Sequence, residues 1–383
     1  MILKNGFVFY EGKFQRLDIE IKERHIYNIS SDIKGKNEID INGMKVIPGI
    51  VDIHTHGCMG YDFTRARKDE INTMLKYYMS NGITSILATV MTDSKDNLEK
   101  AMKELKRFIY KEDELIETCM PTNDIVKGIN LEGPFFGEDK KGAHDSKYLR
   151  EIDEAFFDAL NFNSGNNIKI ITIDPTLNGY KEFMQKYSQK LTVSVGHTNC
   201  DYKTGSEAIK VGAKHITHLF NAMNGIHHRN PGLVGVFSDN NITGELICDG
   251  IHIDEAVIRM IYKIAGNRIA IISDSITPTG LKDGKYTSGG MNIVLKDNVA
   301  KLVNGTIAGS VTNCFEGMKN TIKYGVSEEH AIISATLIPA QIIGLDNRIG
   351  SIERGKIADI VVVDDKYDIK SVIKSGTVIE HVE

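Results

Sequence analysis

Hydrophobic and polar positions change their rhythm along the chain. Over residues 1–47 short apolar runs alternate with turns: Gly6-Phe7-Val8-Phe9-Tyr10, then Leu17-Asp18-Ile19-Glu20-Ile21-Lys22, then His25-Ile26-Tyr27-Asn28-Ile29. The second has the period of two that marks a strand with one face in a core. From Pro48 onward apolar runs are separated by amphipathic segments. Residues 46–53, 83–90, 126–131, 168–173, 191–195, 215–218, 243–248 and 269–273 predict strands; 68–81, 94–111, 179–190, 201–211 and 254–265 predict helices. This alternation predicts the α/β class, and eight such units predict a (β/α)8 TIM-type barrel. A doubly wound open sheet is the competing arrangement, but no Gly-x-Gly-x-x-Gly follows the first strand.

Residues 282–306, rich in Gly, Lys and Asp, predict a β-hairpin insertion, and helical spacing resumes at 313–324 and 327–337. The chain then returns to β patterns in Asp359-Ile360-Val361-Val362-Val363-Asp364, Ile369-Lys370-Ser371-Val372-Ile373 and Gly376-Thr377-Val378-Ile379. Two all-β ends flanking a barrel predict one small discontinuous β-sandwich. Its parts are 1–47 and 346–383, around a barrel domain at 48–345.

Composition narrows the setting. Of the 383 residues 41% are hydrophobic and 25% charged, the balance of a soluble protein with a sizeable core. A net charge of −5 gives no basic excess for nucleic acid. No apolar run approaches the ~20 residues that span a bilayer, and the first residues lack a signal-peptide pattern. The cysteines (58, 119, 200, 248, 314) are odd in number and never in Cys-x-x-Cys spacing. They read as reduced thiols of a cytoplasmic protein, Cys58 among them as an ordinary small loop residue.

Candidate chemistry collects at strand ends. His54 and His56, two apart, share one face where the first strand ends. Glu132 follows the third strand, His197 the fifth, His218 the sixth and Asp274 the eighth. In a barrel these ends meet on one face. Nitrogen and carboxylate donors without thiolates suit zinc, iron or manganese. A bound divalent ion brings the pKa of its water to about 7, supplying hydroxide at neutral pH. Asp274 is the candidate to take a proton and return it to a leaving group; Glu132 can serve one ion or bridge two. His215, at an odd offset inside its strand, reads as structural, and His227 and His228 as loop residues. His25, His330 and His381 have no companions.

The pattern His-x-His, Glu, His, His, Asp resembles the amidohydrolase superfamily. More specifically, Asn130-Leu131-Glu132-Gly133-Pro134-Phe135, Lys141-Gly142-Ala143-His144, Gly196-His197-Thr198, Thr217-His218-Leu219-Phe220-Asn221-Ala222-Met223, Pro231-Gly232-Leu233, Asp249-Gly250-Ile251-His252, Ser273-Asp274-Ser275 and Ile307-Ala308-Gly309-Ser310 resemble the N-acetylglucosamine-6-phosphate deacetylase family. The resemblance implies release of acetate from a 2-acetamido sugar 6-phosphate, in amino-sugar catabolism and cell-wall sugar recycling. It implies Glu132, His197 and His218 as principal metal ligands, His54 and His56 for a second ion, and zinc as the foremost metal. Asp274 would be general base and acid, with His144 near the scissile acetamide. Ala143, Asn221 and Ala222, with Asp249, Gly250, Ile251 and His252, would line the sugar site. Arg229 and His252 would hold phosphate, the arginine reaching in from a neighbouring subunit, which implies a homodimer; Ile307, Ala308, Gly309 and Ser310 would border the acetyl group. The sugar epimer, glucosamine or galactosamine, stays open. One departure stands after the fourth strand: Asp174-Pro175-Thr176 where members often carry Ala-Pro-Glu. A cyclic amidase or deaminase of the superfamily and a non-catalytic sugar-phosphate sensor compete. The acidic ligand on the third strand speaks against the amidase, and the complete ligand set against the sensor.

Overall fold

The computed structural model describes residues 1–110 and 124–379; Lys111, Cys119 and His381 lie outside them. Eight parallel strands pair in sequential order: β1 (Ile50–Thr55), β2 (Ile83–Met91), β3 (Val126–Glu132), β4 (Ile168–Ile173), β5 (Thr192–Val195), β6 (His215–Ile216), β7 (Thr243–Ile247) and β8 (Ile269–Ile272). β8 and β1 share no ladder, yet their C-terminal ends are stitched. Asp274 N–H donates to the His54 carbonyl (2.9 Å), and the N–H groups of His56 and Gly57 donate to the Ser275 carbonyl (2.8 and 3.1 Å). The open sheet is thereby excluded, and the barrel closes at the end where the candidate residues stand.

The helices expected between strands form, several begun by a side chain that accepts an orphan N–H: Asp201 for Tyr202–Val211, Asp254 for Glu255–Ala265, Asn313 for Cys314–Lys323. Glu154–Asn163 and Gly232–Asp239 were not expected. The second buries Leu233, Val234, Val236 and Phe237, so it is apolar nearly all round and shows no amphipathic period. The stretch at 327–337 divides into Glu328–Ala335 and a separate short helix, Leu337–Ile342. Ile338, Ala340 and Ile343 join Val51, Leu87, Ile170, Ile247 and Ile272 in one buried cluster. The Ile342 carbonyl accepts from Thr192 Oγ1 at the start of β5 (2.9 Å). This short helix plugs the barrel below the site.

Strands from both ends of the chain pair into one further sheet, in which Lys45–Pro48 lies between Ile2–Tyr10 and Ile360–Val363. It folds over its own core of Leu3, Val8, Ile19, Ile26, Val46, Ile360 and Ile373. The single run expected at 46–53 is thus two strands in two sheets. Gly49 divides them, its N–H donating to the Asp359 carbonyl (2.9 Å); a Cβ there would collide with Thr84. The insertion holds three antiparallel strands, not a hairpin: Gly284–Ser288, Met291–Lys296 and Val299–Leu302. Its first strand is too polar to signal itself. Ile293 and Leu302 pack with Ile276 and Ala308 as an apolar roof beside the barrel mouth.

Candidate metal centre and active site

Glu132 ends β3 with its carboxylate buried, and the candidate imidazoles converge on it. Oε1 lies 3.0 Å from His197 Nε2, 3.1 Å from His218 Nε2 and 3.3 Å from His54 Nε2. Oε2 lies 3.1 Å from His56 Nε2 and 3.2 Å from His144 Nε2. Asp274 Oδ1 stands 3.2 Å from His56 Nε2 and 3.6 Å from His54 Nε2. His197, His218 and Asp274 all take left-handed backbone, φ 49°, 26° and 48°. That conformation is costly for such residues and is held here by the closed barrel end.

The outer nitrogens decide what the inner ones can do. His197 Nδ1 donates to the Lys140 carbonyl (2.9 Å) and His218 Nδ1 to the Asn221 carbonyl (3.2 Å). A carbonyl only accepts, so both rings carry a proton on Nδ1 and, when neutral, turn a lone pair inward. Burial pushes the His197 pKa down to about 4, so this ring is neutral at physiological pH. Two imidazole nitrogens 3.1 Å apart therefore share with a carboxylate oxygen a point that lacks a donor. A cation resolves that conflict. A divalent metal fits here, with His197, His218 and Glu132 as donors.

A second position lies beside it, between His54, His56, Glu132 and Asp274. His54 Nε2 has no hydrogen-bond partner among the described residues, nor has Nδ1 of His56 or His144. Burial opposes charge on His56, but Asp274 and Glu132 outweigh it and raise its pKa to about 9. Burial likewise opposes charge on Glu132, which the surrounding imidazoles, His54 foremost, hold well below the carboxylate range. Positive charge is thus demanded wherever no metal supplies it.

A cavity of about 580 Å³ opens over this centre. His56, Glu132, His144, His197, His218 and Asp274 line its floor, while Met291, Ile293 and Leu302 of the three-stranded sheet line one wall. Ala143, Asn221, Ala222, Ile251, His252, Ile307, Ala308 and Gly309 also face it. His54 is fully buried behind the floor. Asp249, Gly250 and Ser310 do not line it. Asp249 Oδ2 accepts from His252 Nδ1 (2.7 Å), and Ser310 N–H donates to the Asp274 carbonyl (2.7 Å). Burial opposes charge on His252, but Asp249 outweighs it and the pKa is raised. Arg229 is not brought in: it sits exposed, bonded to His228 Nε2 at 2.6 Å.

An amidohydrolase family model matches residues 45–379. The chain belongs to the amidohydrolase family. Among amidohydrolases, the N-acetylglucosamine-6-phosphate deacetylase of Bacillus subtilis (strain 168) is 31% identical over 98% of this chain and 93% of its own. The solved structure of the Pasteurella multocida enzyme of that name superposes with a TM-score of 0.91 at 26% identity, over 99% of both chains. A mutant of the Mycobacterium smegmatis deacetylase, solved with N-acetyl-D-glucosamine-6-phosphate, also gives 0.91 at 26% identity, over 99% of this chain and 98% of its own.

The roles of two residues around this amidohydrolase site were not anticipated. Glu245, fully buried in β7, touches His54, His215 and the backbone of His218. A lone charge inside the run Thr243–Ile247 was its available signal. Asp174 ties its loop down: Oδ1 accepts from Thr176 N–H and Oγ1 (2.9 and 2.8 Å), and Oδ2 from Gly137 N–H (3.3 Å). The Asp174-Pro175-Thr176 departure is a local staple that ties its loop to Gly137, next to the cavity-lining segment 138–144.

Proposed function

We propose that this protein hydrolyses the acetamide of N-acetyl-D-glucosamine 6-phosphate to D-glucosamine 6-phosphate and acetate. The observation that carries this reading is the convergence of two imidazole lone pairs and a carboxylate oxygen on one point, beneath a cavity of sugar-phosphate size. A divalent cation there, zinc in our reading, supplies polarisation of the amide carbonyl and acidification of water. His197, His218 and Glu132 would hold it, and His54 and His56 with Glu132 a second.

The chain's own residues do the rest. Burial opposes charge on Asp274, but His56 and His54 outweigh it and hold its carboxyl below the ordinary range. It is therefore ionised and can accept the proton of the attacking water. A C–O bond forms at the acetyl carbon; Asp274 then gives the proton to the amine nitrogen as the C–N bond breaks. His144, beside Glu132, orients the acetamide, and Ile307, Ala308 and Gly309 border its methyl. Ala143, Asn221, Ala222 and Ile251 line the sugar, and His252, its ring steadied by Asp249, meets the phosphate. In our reading, which follows the family resemblance, Arg229 meets the phosphate of a neighbouring subunit in a homodimer, and the protein works in the cytoplasm.

The test is acetate release from the phosphorylated and unphosphorylated sugars, before and after chelation. Chelator-sensitive release from the phosphate ester alone is expected. Absence of release from metal-replete enzyme on that ester, with release from the galactosamine epimer, would reassign the substrate.

A further inference from the structure

Glu245 does not face the cavity, and the chemistry above does not use it. Its side chain nonetheless joins three groups in the barrel interior. Oε2 is 2.9 Å from His54 Nδ1 and 3.0 Å from the main-chain nitrogen of His218; Oε1 is 3.1 Å from His215 Nε2. The far side of His215 is fixed too, Nδ1 lying 2.6 Å from Thr243 Oγ1. Glu245, His54, His215 and His218 are buried, and Thr243 is half-buried.

A carboxylate can only accept, so each of its three neighbours donates. His54 must then carry a proton on Nδ1, which leaves Nε2 as the atom turned toward Glu132 and Asp274. That nitrogen has no hydrogen-bond partner among the described residues. His215 must carry its proton on Nε2, while its Nδ1 faces the Thr243 hydroxyl, which also lies 3.3 Å from the Lys214 carbonyl. The same carboxylate oxygen anchors the His218 backbone at φ 26°, where the chain would otherwise relax.

We propose that Glu245 is a positioning residue that fixes the tautomer of His54 for a second divalent cation while holding the backbone of His218 at the first. The inference rests on the metal-centre reading above and deepens it. A carboxylate behind a ligating imidazole orients the ring and raises its donor strength, and its loss typically lowers metal affinity by about 10- to 100-fold. His215, which the sequence marks as structural, becomes the clamp that holds Glu245.

The test is zinc binding by equilibrium dialysis with elemental analysis, on wild type and Glu245→Gln. The amide keeps the shape and one acceptor but removes the charge. Wild type is expected to bind two ions per chain. Glu245→Gln is expected to keep the tighter ion and bind the weaker one at least about tenfold less well. Two ions bound by the variant with unchanged affinities would overturn the proposal. A wild type that binds no zinc would instead overturn the metal-centre reading itself, and one that binds a single ion overturns only the role given to Glu245. Should the variant not fold, nitrogen-15 spectra of the zinc-loaded wild type decide the matter. They should place the His54 proton on Nδ1; a proton on Nε2 overturns the proposal.

Discussion

Glu132 is the side chain on which the site depends, because its two oxygens face His54, His56, His144, His197 and His218 at once. Glu132→Gln keeps the volume and removes the charge that offsets any cation. Elemental analysis of this variant should find its metal content collapsed. Turnover should fall by about a thousandfold or more, the equivalent of several kcal/mol of lost charge stabilisation. Asp274→Asn behaves differently. It should lower kcat by roughly 10²- to 10⁴-fold while metal stays bound through His197 and His218. Full activity in Asp274→Asn would refute its role as base and acid. The ligand types were legible in the sequence because strands ended on them. Glu245 was not, since its meaning lies in the tautomers of histidines 30 and 191 positions away.

Among the elements, the long periodic helices and buried strands were readable and the short ones were not. Gly232–Asp239 lacks a polar face, and Leu337–Ile342 is a single apolar turn and a half whose place is set by the barrel it plugs. The terminal sheet carries a pH-sensitive anchor. Buried Asp18 joins the strands of its hairpin to the segment beyond: Oδ1 accepts from Asn5 N–H (2.9 Å), and Oδ2 from Ile33 N–H (2.9 Å) and Lys4 Nζ (2.6 Å). Burial works against its charge, but Lys4 and the two amides outweigh it, and the pKa is lowered. A lowered folded-state pKa gives stability that is complete above the unfolded value of about 3.9 and is lost as pH falls through the folded one. Thermal midpoints of wild type should therefore drop below about pH 4. Asp18→Asn should be less stable at neutral pH and lose less on acidification; parallel midpoint curves would exclude the anchor.

At the scale of the whole molecule, a buried ion pair joins two neighbouring strands of the terminal sheet and reaches the barrel through Asp124, whose Oδ2 lies 3.9 Å from Lys374 Nζ. Lys374 Nζ lies 2.7 Å from Asp359 Oδ2, and Ser375 N–H donates to Asp359 Oδ1 (2.8 Å). Asp359→Ala leaves the buried Lys374 ammonium with the more distant Asp124 and should cost about 3 kcal/mol in denaturant unfolding. Metal loading should act in the other direction, because a ligand of the folded state stabilises by mass action: about 2.7 kcal/mol at a hundredfold excess over Kd. A thermal midpoint unmoved by chelation would exclude structural coupling between centre and fold. The discontinuous pairing of the two chain ends could be inferred from β patterns on either side of a βα series. The ion pair could not, since Lys374 and Asp359 look like ordinary surface charges in sequence.

Gly49 has a kinematic consequence. The chain leaves the terminal sheet at Pro48 and enters the barrel at Ile50, so one residue is the entire linker at this first crossing, and both of its neighbours are hydrogen-bonded in register. A junction of that length has no slack. The terminal sheet cannot swing as a flap, and traffic of sugar phosphate and acetate through the mouth falls to the strand-end loops and the three-stranded sheet above them. Hydrogen exchange should report this division, with slow exchange at Ile47 and Ile50 and faster exchange along Met291–Lys296.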